Sequence, residues 1–330
     1  MDEFSCINRF FSPLAKSKEA LNLTDDCAII APNSDNKELV ISKDALVETV
    51  HFLPNTPPSL IARKALGVNL SDIAAMGATP RWYMLALMLP KPLNEIWLEE
   101  LTQELSIIQK QYNITLIGGD TVSHPNKLSL SVTVIGEVNK GAALRRNNAK
   151  PGDGIYVSGT IGDSALGLKI LTNQLPDASA LTQEQIDFLI HRYHVPQPRC
   201  TLGKWLSANN YASAAIDISD GLWSDMKHIC KASNVGASIH QNAIPLSNSA
   251  QTMLHRNKSY YLDIIGGGDD YEILFCAPQH LENLLLESSL NSEHKITKIG
   301  TITSNKEMTL IDEKGDKLPI TKMGYNHFTS

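Results

Sequence analysis

Aspartate recurs at the ends of short apolar runs, and this pattern restricts the fold of the chain more than any other feature. The runs are residues 39–41 before Asp44, residues 115–117 before Asp120, residues 214–216 before Asp217, and residues 264–265 before Asp269. Short apolar runs are typical of buried strands, and α/β proteins place their chemistry where such strands end. The sequence therefore predicts an α/β (α+β) chain of mixed sheets flanked by helices, with an acidic site at the strand ends.

The chemistry of such a site follows from the charges. Carboxylates gathered from distant segments repel one another unless cations lie among them. Asp25, Asp26 and Asp72 add to the set. Ligand sets made of oxygen alone suit Mg²⁺, which takes its other ligands from water and substrate phosphates. The sequence predicts a metal-dependent enzyme that acts on phosphates.

Composition limits the number of domains and the partners. A chain of 330 residues is long enough for two domains. Its net charge of −6 argues against nucleic acid or an anionic membrane surface as a partner, because both attract clustered Lys and Arg. The five cysteines are scattered without a C-x-x-C pair, which is typical of free thiols rather than a zinc site or disulfides. Because the sequence has neither a signal peptide pattern nor a membrane-spanning stretch, we expect a cytoplasmic protein.

The turn signal at residues 149–153 predicts a domain boundary. We expect residues 1–148 to form an N-terminal α/β domain that binds metal and ATP, and residues 149–330 to form a C-terminal α/β domain that adds metal and substrate contacts. Within the first domain, the spacing predicts a helix from near Ser59 with Gly77 as its C′ residue. It also predicts a second helix capped by Asn94.

The glycine-rich segments each allow a structural explanation beside a functional one. Gly159 and Gly162 lack the spacing of a dinucleotide or Walker loop, so a tight strand-to-helix turn is favoured. Residues 266–272 fit a ligand loop and a β-bulge or hairpin turn equally well. Asp220 is explained as a helix N-cap, whereas Asp217 would be costly to bury without a partner.

The remaining candidates also have two interpretations. Asp72 fits a hydrogen-bonded core carboxylate, and the Asp25–Asp26 pair fits an exposed turn. A lone histidine such as His51 is more often packing or surface than function. Arg145 and Arg146 are either solvated or suited to bidentate phosphate contact. Together, the carboxylate segments and their glycine neighbours favour the metal–phosphate interpretation.

The order of these motifs resembles that of the thiamine-monophosphate kinases. The resemblance is carried by D-D-C-A at residues 25–28, S-K-D at 42–44, H-F at 51–52, N-L-S-D-I-A-A-M-G-A at 69–78, G-G-D-T at 118–121, K-P-G-D at 150–153, D-I-S-D-G-L at 217–222, G-G-G-D-D-Y-E at 266–272 and G-Y-N-H-F at 324–328. It runs nearly from end to end. It implies a two-lobed PurM-like fold of the AIR-synthetase superfamily, a homodimer, and ATP- and Mg²⁺-dependent conversion of thiamine phosphate to thiamine diphosphate.

The resemblance also implies roles for single residues. It implies several Mg²⁺ ions. The positions that correspond to metal ligands are Asp26, Ser42, Lys43, Asp44, Asp72, Asp120, Asp217 and Asp220, with Lys43 included by its position only. The ATP positions are Gly119, Asp120, Arg146 and Ser219. The substrate positions are His51, Asp269 and Tyr325.

Three places depart from the family pattern. Asn22 and Thr24 replace glycines, Lys43 replaces a small hydroxyl residue, and Asp269 replaces glutamate. We expect direct in-line γ-phosphoryl transfer without a general base, because the acceptor phosphate is already mostly dianionic near pH 7. The alternatives are another ATP-dependent PurM-like enzyme, such as a purine-pathway cyclase or a selenophosphate synthetase, and a nucleotide- and metal-binding homologue without turnover.

Overall fold

The structure is a computed structural model of the chain that describes residues 7–17, 34–92, 94–123, 127–291 and 294–320. The chain forms two compact units. The first consists of Met1–Ile73 with Ala78–Gly141, and the second of Ala74–Gly77 with Ala142–Ser330. Each unit contains a mixed sheet and helices, so the predicted α/β (α+β) class is confirmed. Among the described helices, none is long and apolar enough to cross a membrane.

The first unit contains one four-stranded sheet. Its strands are β1 (Lys37–Val47), β2 (Thr79–Leu89), β3 (Thr115–Ser123) and β4 (Ser129–Asn139), and its helices are α1 (Pro58–Ala75) and α2 (Glu95–Tyr112). The strand order is β1-β4-β2-β3, which leaves β1 and β3 at the edges. β4 is antiparallel to β1 and β2, whereas β2 and β3 are parallel. A Cβ atom built on Gly136 of β4 would lie 2.9 Å from Ile73 Cγ2, so α1 packs closely on this sheet.

The predicted helix ends of the first unit are confirmed. Gly77 follows α1 with a φ of +70° and donates its N–H to the carbonyl of Ala74 at 2.9 Å. Ala78 donates to the carbonyl of Ile73 at 3.0 Å, which completes a Schellman motif. The Asn94 side chain caps α2 by accepting the N–H of Trp97 at 3.1 Å.

The second unit contains a seven-stranded sheet. Its strands are β5 (Gly154–Ser158), β6 (Ala214–Asp217), β7 (Gly236–His240), β8 (Ile273–Ala277), β9 (Ile296–Thr303), β10 (Met308–Ile311) and β11 (Lys317–Leu318). Its helices are α3 (Asp163–Leu171), α4 (Gln183–His194), α5 (Cys200–Ala208), α6 (Leu222–Ser233), α7 (Asn248–Arg256), α8 (Tyr260–Gly266) and α9 (Glu282–Asn291). The order is β11-β10-β7-β9-β5-β8-β6.

The sheet of the second unit is covered on both faces. β5 and β8 are buried along their whole length. Because side chains alternate along a strand, Ile155 and Val157 enter one apolar cluster while Tyr156 enters another. Tyr156 stacks on Phe275 of β8 with ring centroids 5.2 Å apart. The strand ends that carry the candidate residues are thus held by a two-sided core.

One predicted strand is wrong. Residues 264–265 belong to helix α8 rather than to a strand. Tyr260 and Tyr261 lie four residues before Ile264 and Ile265, and all four are buried. This spacing gives one apolar helical face, so tertiary burial of that face determines the structure.

The segment between β5 and α3 is a tight strand-to-helix turn, as predicted. Gly159 and Gly162 have φ values of +59° and +84°. A Cβ atom on Gly159 would lie 2.2 Å from Oε1 of Glu272, and a Cβ on Gly162 would lie 2.5 Å from Cγ2 of Ile264. Both glycines are therefore required by close packing as well as by backbone conformation.

Candidate active site

The first unit brings Ser42, Asp44 and Asp72 together. Ser42 and Asp44 lie on β1, and Asp72 lies on α1. The Ser42 hydroxyl donates to the Asp72 carboxylate. The main-chain N–H of Asp44 donates to Oδ1 of Asn69 at 3.0 Å, and the Asn69 amide donates to the carbonyl of Ala65 at 3.0 Å. Asn69, which the sequence analysis did not assign, therefore fixes β1 against α1 where the carboxylates meet.

The two carboxylates perturb one another. Burial, followed by the charge of Asp72 and a hydrogen bond to Asp72, raises the pKa of Asp44 to about 6. Two acids and a hydroxyl form an oxygen-only donor set, which is the set that a hard cation such as Mg²⁺ prefers. The donor set fits a divalent cation, because a cation would offset the repulsion that raises this pKa.

Lys43 lies on the opposite side of β1 from this pair. Burial alternates along β1, so that Ser42 and Asp44 are half-buried while Ile41, Lys43 and Ala45 are exposed. The Lys43 ammonium donates to the Thr133 hydroxyl of β4 at 3.4 Å. Its charge therefore points away from the carboxylates, and its side chain is not part of their cluster.

Asp120 lies at the other edge of the sheet. Asp44 is paired with Val132, Val132 with Leu85, and Leu85 with Gly119. Three strand spacings separate β1 from β3, which is roughly 14 Å. Asp120, next to Gly119, projects to the face opposite Asp44, and it accepts the N–H of Thr121 at 2.8 Å. Within one copy of the unit, Asp120 is not brought to the Asp44–Asp72 pair.

Two other predicted positions of the first unit have clear local structure. A Cβ atom on Gly119 would lie 1.9 Å from the Leu85 carbonyl, so the parallel pairing of β2 and β3 itself requires glycine there. His51 is half-buried, and its Nδ1 accepts the N–H of Val47 at 3.0 Å. In the neutral imidazole this leaves Nε2 as the donor.

The second unit brings Asp217, Ser219, Asp220 and Asp269 into one neighbourhood. The N–H of Asp269 donates to the carbonyl of Ser219 at 2.8 Å, and the N–H of Tyr271 donates to the carbonyl of Ile218 at 2.8 Å. The segment after β6 therefore runs beside the segment before β8. A Cβ atom on Gly268 would lie 2.3 Å from the carbonyl oxygen of Ser219, which explains a glycine at this contact. The predicted ATP residue Ser219 and the predicted substrate residue Asp269 are joined by one hydrogen bond.

Asp220 is not the N-cap of α6, so that structural explanation is wrong. Gly221 occupies the N-cap position with a φ of +110° and without a side-chain cap. Instead, the carboxylate of Asp225 accepts the N–H of Ser219 at 3.1 Å and that of Asp220 at 3.2 Å. Asp225 therefore orders the turn that carries Asp220.

Asp225 is an acidic residue that the sequence analysis missed. It is 2% exposed. Burial, followed by the charges of Asp217 and Asp220, raises its pKa to about 8, although the two N–H donors act in the opposite direction. Ligand atoms of Asp220, Asp225 and His228 lie within 4.8 Å of one another. The i, i+3 spacing of Asp225 and His228 on a helix beginning at a known acidic motif was the available signal.

Arg146 is exposed in the second unit, and its carbonyl accepts the hydroxyl of Ser233 at 2.8 Å. The adjacent carbonyl of Arg145 accepts the N–H of Ala215 of β6 at 3.0 Å. The backbone of these arginines is thus tied to the sheet while the Arg146 guanidinium faces solvent. Asp26 and Tyr325 lie outside the described residues.

Comparison with known protein families gives two matches along this chain. The model of the AIR synthase related protein, N-terminal domain, matches residues 24–138, and that of the C-terminal domain matches residues 150–313. The chain is 41% identical over 331 residues to thiamine-monophosphate kinase of Escherichia coli strain K12, covering 99% of this chain and 98% of that protein.

Solved structures give the same result. Thiamine-monophosphate kinase from Stenotrophomonas maltophilia K279a has a TM-score of 0.83 and 38% identity, covering 96% of this chain and 98% of that chain. The structure of AaThiL complexed with AMPPCP and TMP has a TM-score of 0.77 and 30% identity, covering 90% of this chain and 89% of that chain. The predicted PurM-like fold is confirmed.

Proposed function

We propose that this chain, which belongs to the thiamine-monophosphate kinase family, transfers the γ-phosphoryl group of ATP to thiamine monophosphate and releases thiamine diphosphate and ADP. The observation that carries the proposal is the 41% identity over 99% of the chain to a relative of that name. The relative AaThiL, which was solved with AMPPCP and TMP, supports the pair of substrates.

The chemistry requires positioning and charge compensation rather than a general base. A phosphate monoester has a second pKa of about 6, so the acceptor is mostly dianionic at neutral pH. We infer that a phosphate oxygen of thiamine monophosphate attacks the γ-phosphorus in line and that no phosphoenzyme forms. The exposed guanidinium of Arg146 is suited to bidentate contact with the nucleotide phosphates.

The two acidic groups are the proposed metal sites. Ser42, Asp44 and Asp72 would hold Mg²⁺ in the first unit, and Asp217 and Asp220 would do so in the second, with Asp26 completing the set. Bound Mg²⁺ would offset the negative charge of the phosphates and of the carboxylates. We assign ATP to Gly119, Asp120, Arg146 and Ser219. We assign the substrate to His51, Asp269 and Tyr325, because an acid and an aromatic ring both suit the cationic thiazolium. In this proposal, residues 1–148 supply the metal and ATP contacts and residues 149–330 add metal and substrate contacts.

We also propose that the chain acts as a homodimer. One face of the first sheet carries exposed apolar side chains: Leu39 (36% exposed), Ile41 (62%), Met84 (38%) and Val122 (43%). Exposed apolar patches of this kind, bordered by the open edges of β1 and β3, are typical of interaction surfaces. Asp120 lies on this face, whereas Asp44 of the same copy lies on the opposite face. In a dimer, Asp120 of one copy could contact a nucleotide held by Asp44 of the other copy.

A cytoplasmic location is part of the proposal. Cys200, Cys230 and Cys276 are free thiols, and Cys230 and Cys276 are buried. Free thiols are typical of proteins that work in a reducing compartment. ATP as a substrate is consistent with that compartment.

The test is an activity assay with purified full-length chain, ATP, Mg²⁺ and thiamine monophosphate, with thiamine diphosphate measured by chromatography. We expect product in proportion to ATP consumed and none when Mg²⁺ is chelated. Free thiamine replaces thiamine monophosphate as the specificity control. Binding of ATP without thiamine diphosphate formation would overturn the proposal in favour of a homologue without turnover.

A further inference from the structure

Glu272 of the second unit lies directly before β8, and both oxygens of its carboxylate accept hydrogen bonds. Its side chain is 1% exposed. It accepts hydrogen bonds from the Ser158 hydroxyl at 2.6 Å, from Nη2 of Arg192 at 2.9 Å, and from Nε and Nη2 of Arg199 at 2.6 and 2.5 Å. Two arginines and one hydroxyl thus converge on one buried acid, which is far more than a surface ion pair requires.

The backbone just before Glu272 is strained. Asp269 has a φ of +68° and Tyr271 a φ of +51°, values that side-chain-bearing residues rarely adopt. Such conformations persist only where the surrounding structure determines them, and they cluster at functional sites. The Tyr271 hydroxyl donates to Oδ1 of Asp269 at 2.9 Å, so the orientation of the Asp269 carboxylate depends on this backbone.

The Glu272 network holds that backbone directly. Nη2 of Arg192, which bonds Glu272, also donates to the main-chain carbonyl of Asp270 at 2.9 Å. The Asp270 carboxylate accepts the N–H of Gly162 at 2.8 Å. Arg192 lies on α4, Arg199 immediately precedes α5, and Gly162 immediately precedes α3. Three helices therefore fix the loop through groups that have no proposed contact with substrate.

We propose that Glu272, held between Arg192 and Arg199, is a positioning residue that keeps Asp269 aimed at the cationic ring of thiamine monophosphate. The proposal rests on the proposed function, because it takes Asp269 as a substrate contact. A purely structural ion-pair network would contribute to stability without selecting between the two substrates. A positioning network acts on the substrate that Asp269 contacts and leaves ATP binding unchanged.

The first experiment compares Glu272→Gln with Asp153→Asn in the full-length chain. Asp153 is a matched control, since it is also buried in the second unit and accepts the Ser213 hydroxyl at 2.6 Å and the N–H of Lys150 at 2.9 Å. For Glu272→Gln we expect the KM for thiamine monophosphate to rise at least tenfold and the KM for ATP to change less than twofold. For Asp153→Asn we expect a lower thermal midpoint and neither KM changed. Equal changes of both KM values in Glu272→Gln, or no change in either, would overturn the proposal.

A double variant tests whether Glu272 acts through Asp269. If it does, Glu272→Gln should have little further effect on the KM for thiamine monophosphate in an Asp269→Asn background. Additive effects would instead assign Glu272 a separate role and overturn the proposal. If Glu272→Gln does not fold, Arg199→Lys replaces it in the experiment. This milder change, at a partly exposed side chain, removes the bidentate contact with Glu272. It should raise the same KM about threefold, and no selective rise would count against the proposal.

Hydrogen exchange gives a readout that does not depend on turnover. The amides of Asp269 and Tyr271 are hydrogen-bonded to Ser219 and Ile218, so they should exchange slowly in the parent chain. We expect exchange at these amides to be at least tenfold faster in Glu272→Gln, or in Arg199→Lys, and unchanged in Asp153→Asn. A parent chain that forms no thiamine diphosphate would overturn the proposed function, whereas unchanged exchange in the variant would overturn the positioning role.

Discussion

Replacing Asp44 with asparagine should stabilise the metal-free chain, although it removes a partly buried carboxylate. The pKa of Asp44 is raised from 3.8 to about 6, first by burial and then by Asp72. An acid whose pKa is higher in the folded state binds protons more tightly there than in the unfolded chain. Its ionisation therefore lowers stability as pH rises from about 4 to about 6, and the full loss is present above that range. Asparagine resembles the protonated acid and avoids this loss.

The size of the effect follows from the pKa shift. A shift of about two units corresponds to roughly 3 kcal/mol at pH values above 6. Because Asp44 is only half-buried, solvent screening reduces this to about 1–2 kcal/mol. For a unit of this size, that change raises the thermal midpoint by roughly 2–8 °C.

The assay is thermal unfolding in EDTA at pH 7.5 and at pH 4.5, followed by unfolding at pH 7.5 with Mg²⁺ and ATP. We expect Asp44→Asn to melt above the parent at pH 7.5 in EDTA and the difference to shrink at pH 4.5. With Mg²⁺ and ATP, the parent should gain more stability than the variant, since ligand binding stabilises only a competent site. Asp35→Asn, a change at an exposed carboxylate of the same unit, is the control that should alter neither midpoint. A variant that melts below the parent at pH 7.5 in EDTA would refute the repulsion between Asp44 and Asp72.

Three further predictions test other parts of the structure. Ile41→Asp, which places a charge on a side chain that is 62% exposed on the open sheet face, should convert a dimer to a monomer by sedimentation without unfolding it. Gly268→Ala, whose Cβ would lie 2.3 Å from the Ser219 carbonyl, should displace the loop and raise the KM for both substrates at least tenfold, as measured by steady-state kinetics. Lys43→Ser should leave the Mg²⁺ concentration for half-maximal activity unchanged within twofold, because the Lys43 ammonium faces Thr133; a large change would place its charge at the metal site.

Local signals predicted much of the fold because each has a local physical cause. Gly77 ends α1 since a positive φ is needed there, and Asn94 begins α2 since its side chain satisfies an N–H group. Residues 264–265 are wrongly predicted as a strand, because two apolar residues are too few to show whether the hydrophobic period is that of a strand or of a helix. The helical face becomes visible only when Tyr260 and Tyr261 are included, and the buried face decides the structure.

The site was predictable as a set of motifs but not as a geometry. Asp120 and Asp44 share similar sequence surroundings, yet strand order and register place them at opposite edges and on opposite faces of one sheet. A register shift between Tyr83 and Met84 in the pairing of β2 with β3 contributes to the placement of Asp120, and no sequence motif predicts this shift. Glu272 is not predicted because its importance comes from partners far away in the chain, Arg192 and Ser158. The partners of Asp225, by contrast, are the N–H groups of Asp220 and Ser219, five and six residues before it.

The two acidic groups share a property that links structure to metal use. Burial, with neighbouring carboxylates adding to it, raises the pKa of Asp44 to about 6 and that of Asp225 to about 8. Asp44, a proposed ligand, must release this proton before it can ligate a cation, so protons and Mg²⁺ compete for the same oxygens. Asp225 lies beside the proposed ligands Asp217 and Asp220, whose charges add to the shift of its pKa. The repulsion that destabilises the metal-free chain at neutral pH is the same repulsion that a bound cation relieves. Metal affinity and fold stability should therefore change in opposite directions when a carboxylate of either group is neutralised, and a purely structural cluster of acids would not behave in this way.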